Sequence, residues 1–200
     1  AVLDAEAVER AVVIGASNGG RWSIELALAH PERVKALVLI GAGARGGPPD
    51  DPTVFSDPVQ SLWHDYEAAE ESDDLDALNR IEAHAWLDGW TSEEGRVQGS
   101  TRDLFLAMNA IALAAVDPGP ERERPPAWDL VTRIQAPTLV LCGDLDVVSL
   151  AASEHFAQTI PGARYEVLVG TGHLPHLEGH DRCLQLIEDF LAEVGAATTG

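Results

Sequence analysis

Lysine is nearly absent: Lys35 stands alone among 13 basic residues set against 33 acids, which leaves a formal charge of -20. So acidic a chain repels phosphate backbones and anionic lipid, which argues against nucleic-acid and membrane-surface roles. Cysteine is almost as scarce. Cys142, in an apolar run, and Cys183, in a helical pattern, give neither a disulfide framework nor a metal-ligand spacing. Both read as buried small hydrophobes in a reducing, cytoplasmic setting. No apolar run approaches the roughly 18 residues that a membrane span needs. The first ten residues carry three acids and no apolar stretch of the kind a secretion signal requires. No methionine precedes Ala1, so the expectation is that the natural start was removed or not recorded.

What is present is ordinary globular material: 46% apolar and 23% charged over 200 residues, enough for one domain, with or without an insert. The acid excess is regional. Between Arg45 and Leu130 there are 19 acids and 6 arginines, a net charge of -13 that leaves -7 for the remainder. A solvated face that keeps the protein soluble is the favoured reading of that segment, ahead of an acidic docking surface.

Ala11 to Ile14 and Val34 to Ile40 are short apolar runs separated by a helical stretch that ends at His30-Pro31. Runs of this kind are what strands buried on both faces of a parallel sheet look like, so they form a βαβ unit. From Arg45 the composition shifts to acidic, helix-favouring stretches, in which Trp63, Tyr66, Ile81, Trp86, Leu87, Phe105, Met108 and Ile111 supply apolar faces. Pro118, Pro120, Pro125 and Pro126 close the segment. Pro137 to Cys142 reads as a third strand, and Ser149 is expected to cap a helix running to about Thr159. Tyr165 to Val169 reads as a fourth strand, and a final helix from about His180 has Gly195 as its C-cap. The fold class is therefore α/β, with a helical insert serving as a lid between two parts of the core. The boundaries are 1–44, 45–130 and 131–200.

Gly15-Ala16-Ser17-Asn18-Gly19 fits G-x-S-x-G and sits between a predicted strand and a predicted helix, the context that gives this motif its meaning. A tight strand-to-helix turn forces the serine into a strained conformation and lifts its hydroxyl clear of the sheet. The backbone N–H of Asn18, at a helix N-terminus, then lies where a tetrahedral oxyanion would form. A glycine-rich turn with an incidental serine is the competing reading, and a dinucleotide site is weaker still because GASNGG lacks G-x-G-x-x-G.

Serine needs a base, and the base an orienting acid. Of seven histidines, His173 follows a strand and a glycine turn at the carboxyl edge of the sheet, where open parallel sheets place their active crevice. His176 is the runner-up, and His30 reads as a helix-end residue. Asp144 and Asp146 both follow the third strand. Asp146, further round the turn, is the better acid, whereas Asp144 suits bonding to turn amides. The order Ser17, Asp146, His173 is that of α/β-hydrolases.

AVVIGASNGG, LALAHPERVKALVLIGAG, APTLVLCGDLD and GTGHLPHLEG resemble the nucleophile-elbow, acid-strand and histidine-loop segments of the α/β-hydrolase superfamily, and more narrowly its lactonase, esterase and cofactor-free haloperoxidase branch. The resemblance covers Ala1 to Gly43 and Arg133 to Gly195, and it implies acyl hydrolysis or C–C cleavage with neither metal nor organic cofactor. It also implies that the present strands are the C-terminal half of the family sheet, strands 5-6-7-8. Four strands and a second oxyanion donor on a His-Gly loop would then be expected upstream of Ala1, and the nucleophile strand here would be an open edge.

The expected function is serine-dependent hydrolysis of a small carboxylic ester, lactone or related acyl substrate. The alternatives are a non-catalytic small-molecule-binding protein, an inactive partial chain, and a perhydrolase sharing the same triad. Trp63, Trp86 and Met108 are candidates for shaping an apolar pocket, with plain packing inside the lid as the competing reading. Whether copies associate as a homo-oligomer stays open.

Overall fold

The computed structural model describes residues 2–49, 51–116, 119–120 and 123–197, without the side chains of 196 and 197. Pro118 lies outside the described residues. After a single helical turn, α1 (Val2–Ala5), the chain builds strands β1 (Ala11–Ala16), β2 (Val34–Ile40), β3 (Thr138–Gly143) and β4 (Arg164–Leu168). They form one four-stranded sheet in the order β1-β2-β3-β4, and every pair is parallel. All of β3 is buried, and so is all of β2 except Lys35, which explains why both strands are continuous apolar runs.

Helices cover both faces. On one side α2 (Asn18–Ala29) and α6 (Val147–Thr159) bury Ile24, Ala27, Phe156 and the adjoining Ile160 against Leu37, Leu39 and Val140. On the other, α7 (Asp181–Ala197) lays Cys183, Leu186, Phe190 and Val194 on Val38, Ile40, Leu139 and Leu141. Both cysteines are free thiols inside these layers. β1 pairs on one side only among the described residues, and Ile14 is half exposed there.

Two expectations about helix ends are corrected. The final helix continues through Gly195 to Ala197, so Gly195 is not its C-cap. Asp146, not Ser149, occupies the N-cap position of α6, because the Ser149 N–H donates to the Asp146 carbonyl and lies within the first turn.

Residues 45–130 contain no strand among those described. α3 (Asp57–Glu71) and α4 (Leu75–Glu82) lead into a π-helical stretch, Ala83–Gly89, and then α5 (Ser100–Leu113). Val59, Leu62, Ala85 and Trp90 form one buried cluster, packed against by Trp63 and Trp86. Ala83, Leu87 and Phe105 form another, which also receives Leu174 and Leu177 from the loop after β4. The expected apolar face of α5 is split: Phe105 is buried, whereas Met108 and Ile111 are exposed.

Candidate active site

The carboxyl ends of the parallel strands gather Ser17, Asp146 and His173. Ser17 sits between β1 and α2 at φ 52° and ψ -124°, a conformation that L-residues rarely adopt and that costs about 1–3 kcal/mol. Its N–H donates to Ile40 O at 2.9 Å, tying the turn to the end of β2. Gly15 makes the turn possible: a Cβ there would stand 2.4 Å from the Gly19 carbonyl oxygen. Asn18 is the first residue of α2, so its N–H belongs to the set that a helix N-terminus leaves without intrahelical acceptors.

Asp146, fully buried at the start of α6, accepts a hydrogen bond of 2.7 Å from His173 Nδ1. A carboxylate can only accept, so Nδ1 carries the proton and the lone pair is left on Nε2. Ser149 Oγ lies 3.4 Å from the same Nδ1. Gly41, at φ 52°, lets the backbone after β2 pass close beneath the pair: a Cβ there would be 2.8 Å from His173 Nδ1. Asp144 instead accepts from the Gly170 N–H at 2.7 Å, bracing the turn after β4. His176 is not among the cleft residues; desolvation, and next its neighbour His173, lowers its pKa below the usual imidazole value.

Ser17, Asn18, Gly41, Trp86, Ser149 and His173 all line one cleft of about 580 Å³, walled further by Phe55, Trp128, Val147 and Val148. Of the three aromatic or thioether candidates, Trp86 alone lines it. Its ring lies 4.9 Å from that of His173. Trp63 instead stacks on Trp90 at 5.3 Å and donates to Glu67, packing inside the helical segment. Met108 is 58% exposed and is not among the cleft residues. The sequence marks Ser149 only as a helix cap and does not single out Trp128. Their place on the cleft follows from how α6 and the 3₁₀ turn Trp128–Arg133 pack, which no local pattern encodes.

A doubly covered parallel sheet with a strained serine turn, and a carboxylate-bound histidine at its carboxyl edge, is the architecture of the α/β hydrolases. The chain belongs to that family: residues 1–180 match the alpha/beta hydrolase fold. Over 205 residues it is 32% identical to a 2-hydroxymuconate semialdehyde hydrolase of Pseudomonas putida, a match covering 98% of this chain and 67% of the relative. It is 30% identical to a 2-hydroxy-6-oxononadienedioate/2-hydroxy-6-oxononatrienedioate hydrolase of Paraburkholderia phymatum, covering 96% and 66% respectively. Among solved structures, an N-acyl homoserine lactone degrading enzyme superposes with a TM-score of 0.65 at 28% identity, over 95% of this chain and 71% of the other. The chain therefore spans about two thirds of the length of the curated relatives it matches.

Proposed function

We propose that the chain carries the catalytic residues of a serine hydrolase acting on a small carboxylic ester, lactone or related acyl substrate. The observation that carries this reading is His173, bonded to the buried Asp146, on the same cleft as a serine held at left-handed φ. Ser17 Oγ attacks the carbonyl carbon while His173 Nε2 takes its proton, and the Asn18 N–H donates to the oxyanion. Collapse of the tetrahedral intermediate expels the leaving oxygen, which receives that proton from His173 and leaves Ser17 acylated. Water then repeats the sequence, losing a proton to His173 and releasing the acid and free Ser17. Asp146 holds the imidazolium without itself accepting the proton. Trp86 is the aromatic wall against the acyl group, and no metal or organic cofactor takes part.

In this reading residues 1–44 and 131–200 are the core, with β1 to β4 corresponding to family strands 5-6-7-8, and residues 45–130 are a lid over the cleft. The relatives favour a second reading of the same residues, in which the substrate resembles 2-hydroxymuconate semialdehyde. Parallel assays separate the two: turnover of a short p-nitrophenyl ester or a lactone, abolished in Ser17→Ala, supports acyl hydrolysis. Turnover of 2-hydroxymuconate semialdehyde alone supports the second reading. Ligand-induced stabilisation with no turnover of any of these would replace both with a binding role.

A further inference from the structure

Arg96 lies 77 residues before His173 and well away from every motif in the sequence, yet its guanidinium gathers the surroundings of the histidine loop. Arg96 Nε donates to Asp88 O at 2.6 Å and Nη2 to Leu87 O at 2.8 Å. Nη1 donates to Gly170 O at 2.9 Å, and Nη2 also meets Glu178 Oε2 at 2.8 Å. The other oxygen of Glu178 accepts from the Gly172 N–H at 2.8 Å, and the Glu178 side chain is only 7% exposed. The His173 N–H donates to Trp86 O at 3.0 Å.

The π-helical stretch explains why this is possible. Trp86, Leu87 and Asp88 lie in its last turn and offer three successive carbonyls to partners outside the helix, where a helix end otherwise leaves acceptors unmet. A cation at that end also suits the helix dipole. Asp88, fully buried, accepts from the Gly95 and Val97 N–H groups and from Arg102, which fixes the loop that carries Arg96.

We infer that Arg96 and Glu178 are positioning residues that lock the His173 loop to the π-helical stretch, so that the helical segment over the cleft sets where the imidazole stands relative to Asp146. The inference rests on the reading of His173 as the base. Three anchors, at the Gly170 carbonyl and the Gly172 and His173 N–H groups, all depend on partners outside the sheet and α7. Displacing a catalytic group by about 1 Å costs on the order of 100-fold in rate.

The test uses the full chain with Arg96→Lys, Glu178→Ala and Glu178→Gln, measuring kcat and KM on a p-nitrophenyl ester, the thermal midpoint, and the downfield ring N–H resonance of His173 by NMR. Lysine keeps the charge but not the fork that serves four acceptors. Glutamine keeps an acceptor for the Gly172 N–H and loses the ion pair. Folded Arg96→Lys and Glu178→Ala are expected to lose about 10- to 100-fold in kcat with KM within about threefold, and to shift or broaden the resonance. Glu178→Gln is expected to lose less. Folded variants with kcat within about twofold of the parent and an unmoved resonance would overturn the inference. If Arg96→Lys and Glu178→Ala do not fold, Glu178→Gln decides by the same two readouts. Activity surviving in Ser17→Ala would instead overturn the catalytic reading while leaving the resonance to judge the clamp.

Discussion

At the scale of single residues the site depends on which atom holds which proton. Asp146 Oδ2 fixes the Nδ1–H tautomer of His173 and leaves Nε2 free to accept. Asp146→Asn keeps the size and the buried position but can present its NH₂ to Nδ1 and stabilise the opposite tautomer. The expected result is a fall in kcat of up to about ten-thousand-fold with the fold retained, checked by steady-state kinetics beside a circular dichroism spectrum. Gly41→Ala adds strain of about 1–3 kcal/mol at positive φ and pushes a methyl group onto the His173 ring. It should lower both kcat and the thermal midpoint. The two thiols behave oppositely to catalytic ones. Burial, and next the Asp146 carboxylate, pushes Cys142 up to about 12, and burial pushes Cys183 up to about 11. Since the thiolate is the reactive form, neither should react quickly with a disulfide reagent at pH 8 in the native chain, and both should react in denaturant.

Among the elements, the turn from β1 to α2 is the one on which the proposed chemistry stands. A methyl group at Gly15 would meet the backbone of Gly19, which has no rotamer to move. Gly15→Ala should destabilise the chain by about 1–3 kcal/mol in urea unfolding and reduce activity further than stability alone explains. The strands were legible in the sequence because β2 and β3 are buried on both faces, so apolar runs and their glycine stops mark them within a residue or two. That Ser17, Asp146 and His173 lie at the carboxyl edge of the sheet was legible because each falls in the segment that follows a strand. The π-helical stretch was not, since Ala83 to Gly89 carries no residue type that distinguishes an extra backbone atom ring from an α-helix. Nor were Arg96 and Glu178, whose meeting is set by long-range packing between the helical segment and the loop after β4. Met108 and Trp63 show the limit of periodicity: it marks an apolar face without saying whether that face meets the cleft, another helix or solvent.

For the molecule as a whole, charge and buried protons govern how stability responds to solution conditions. A net charge of -20 repels itself, so raising salt from about 0.01 to about 0.15 M, which shortens the Debye length from about 30 to about 8 Å, should raise the thermal midpoint. Cys142, Cys183 and Tyr165 all ionise later in the folded chain than in the unfolded one, Tyr165 being pushed to about 12 by burial and then by Cys142. The folded state therefore holds more protons above about pH 9, and the stability present below that pH is lost as pH climbs toward the folded values. Urea midpoints should fall between pH 8 and pH 10.5, and a flat profile would contradict the burial of these groups. The proposed function assigns one nucleophile, Ser17, on the cleft at the carboxyl edge of the sheet. The most direct measurement is peptide mapping after fluorophosphonate treatment of the full chain: a single adduct on Ser17, lost in Ser17→Ala and slowed in Asp146→Asn, is predicted. Labelling that persists in Ser17→Ala, or that maps to another residue, would contradict it.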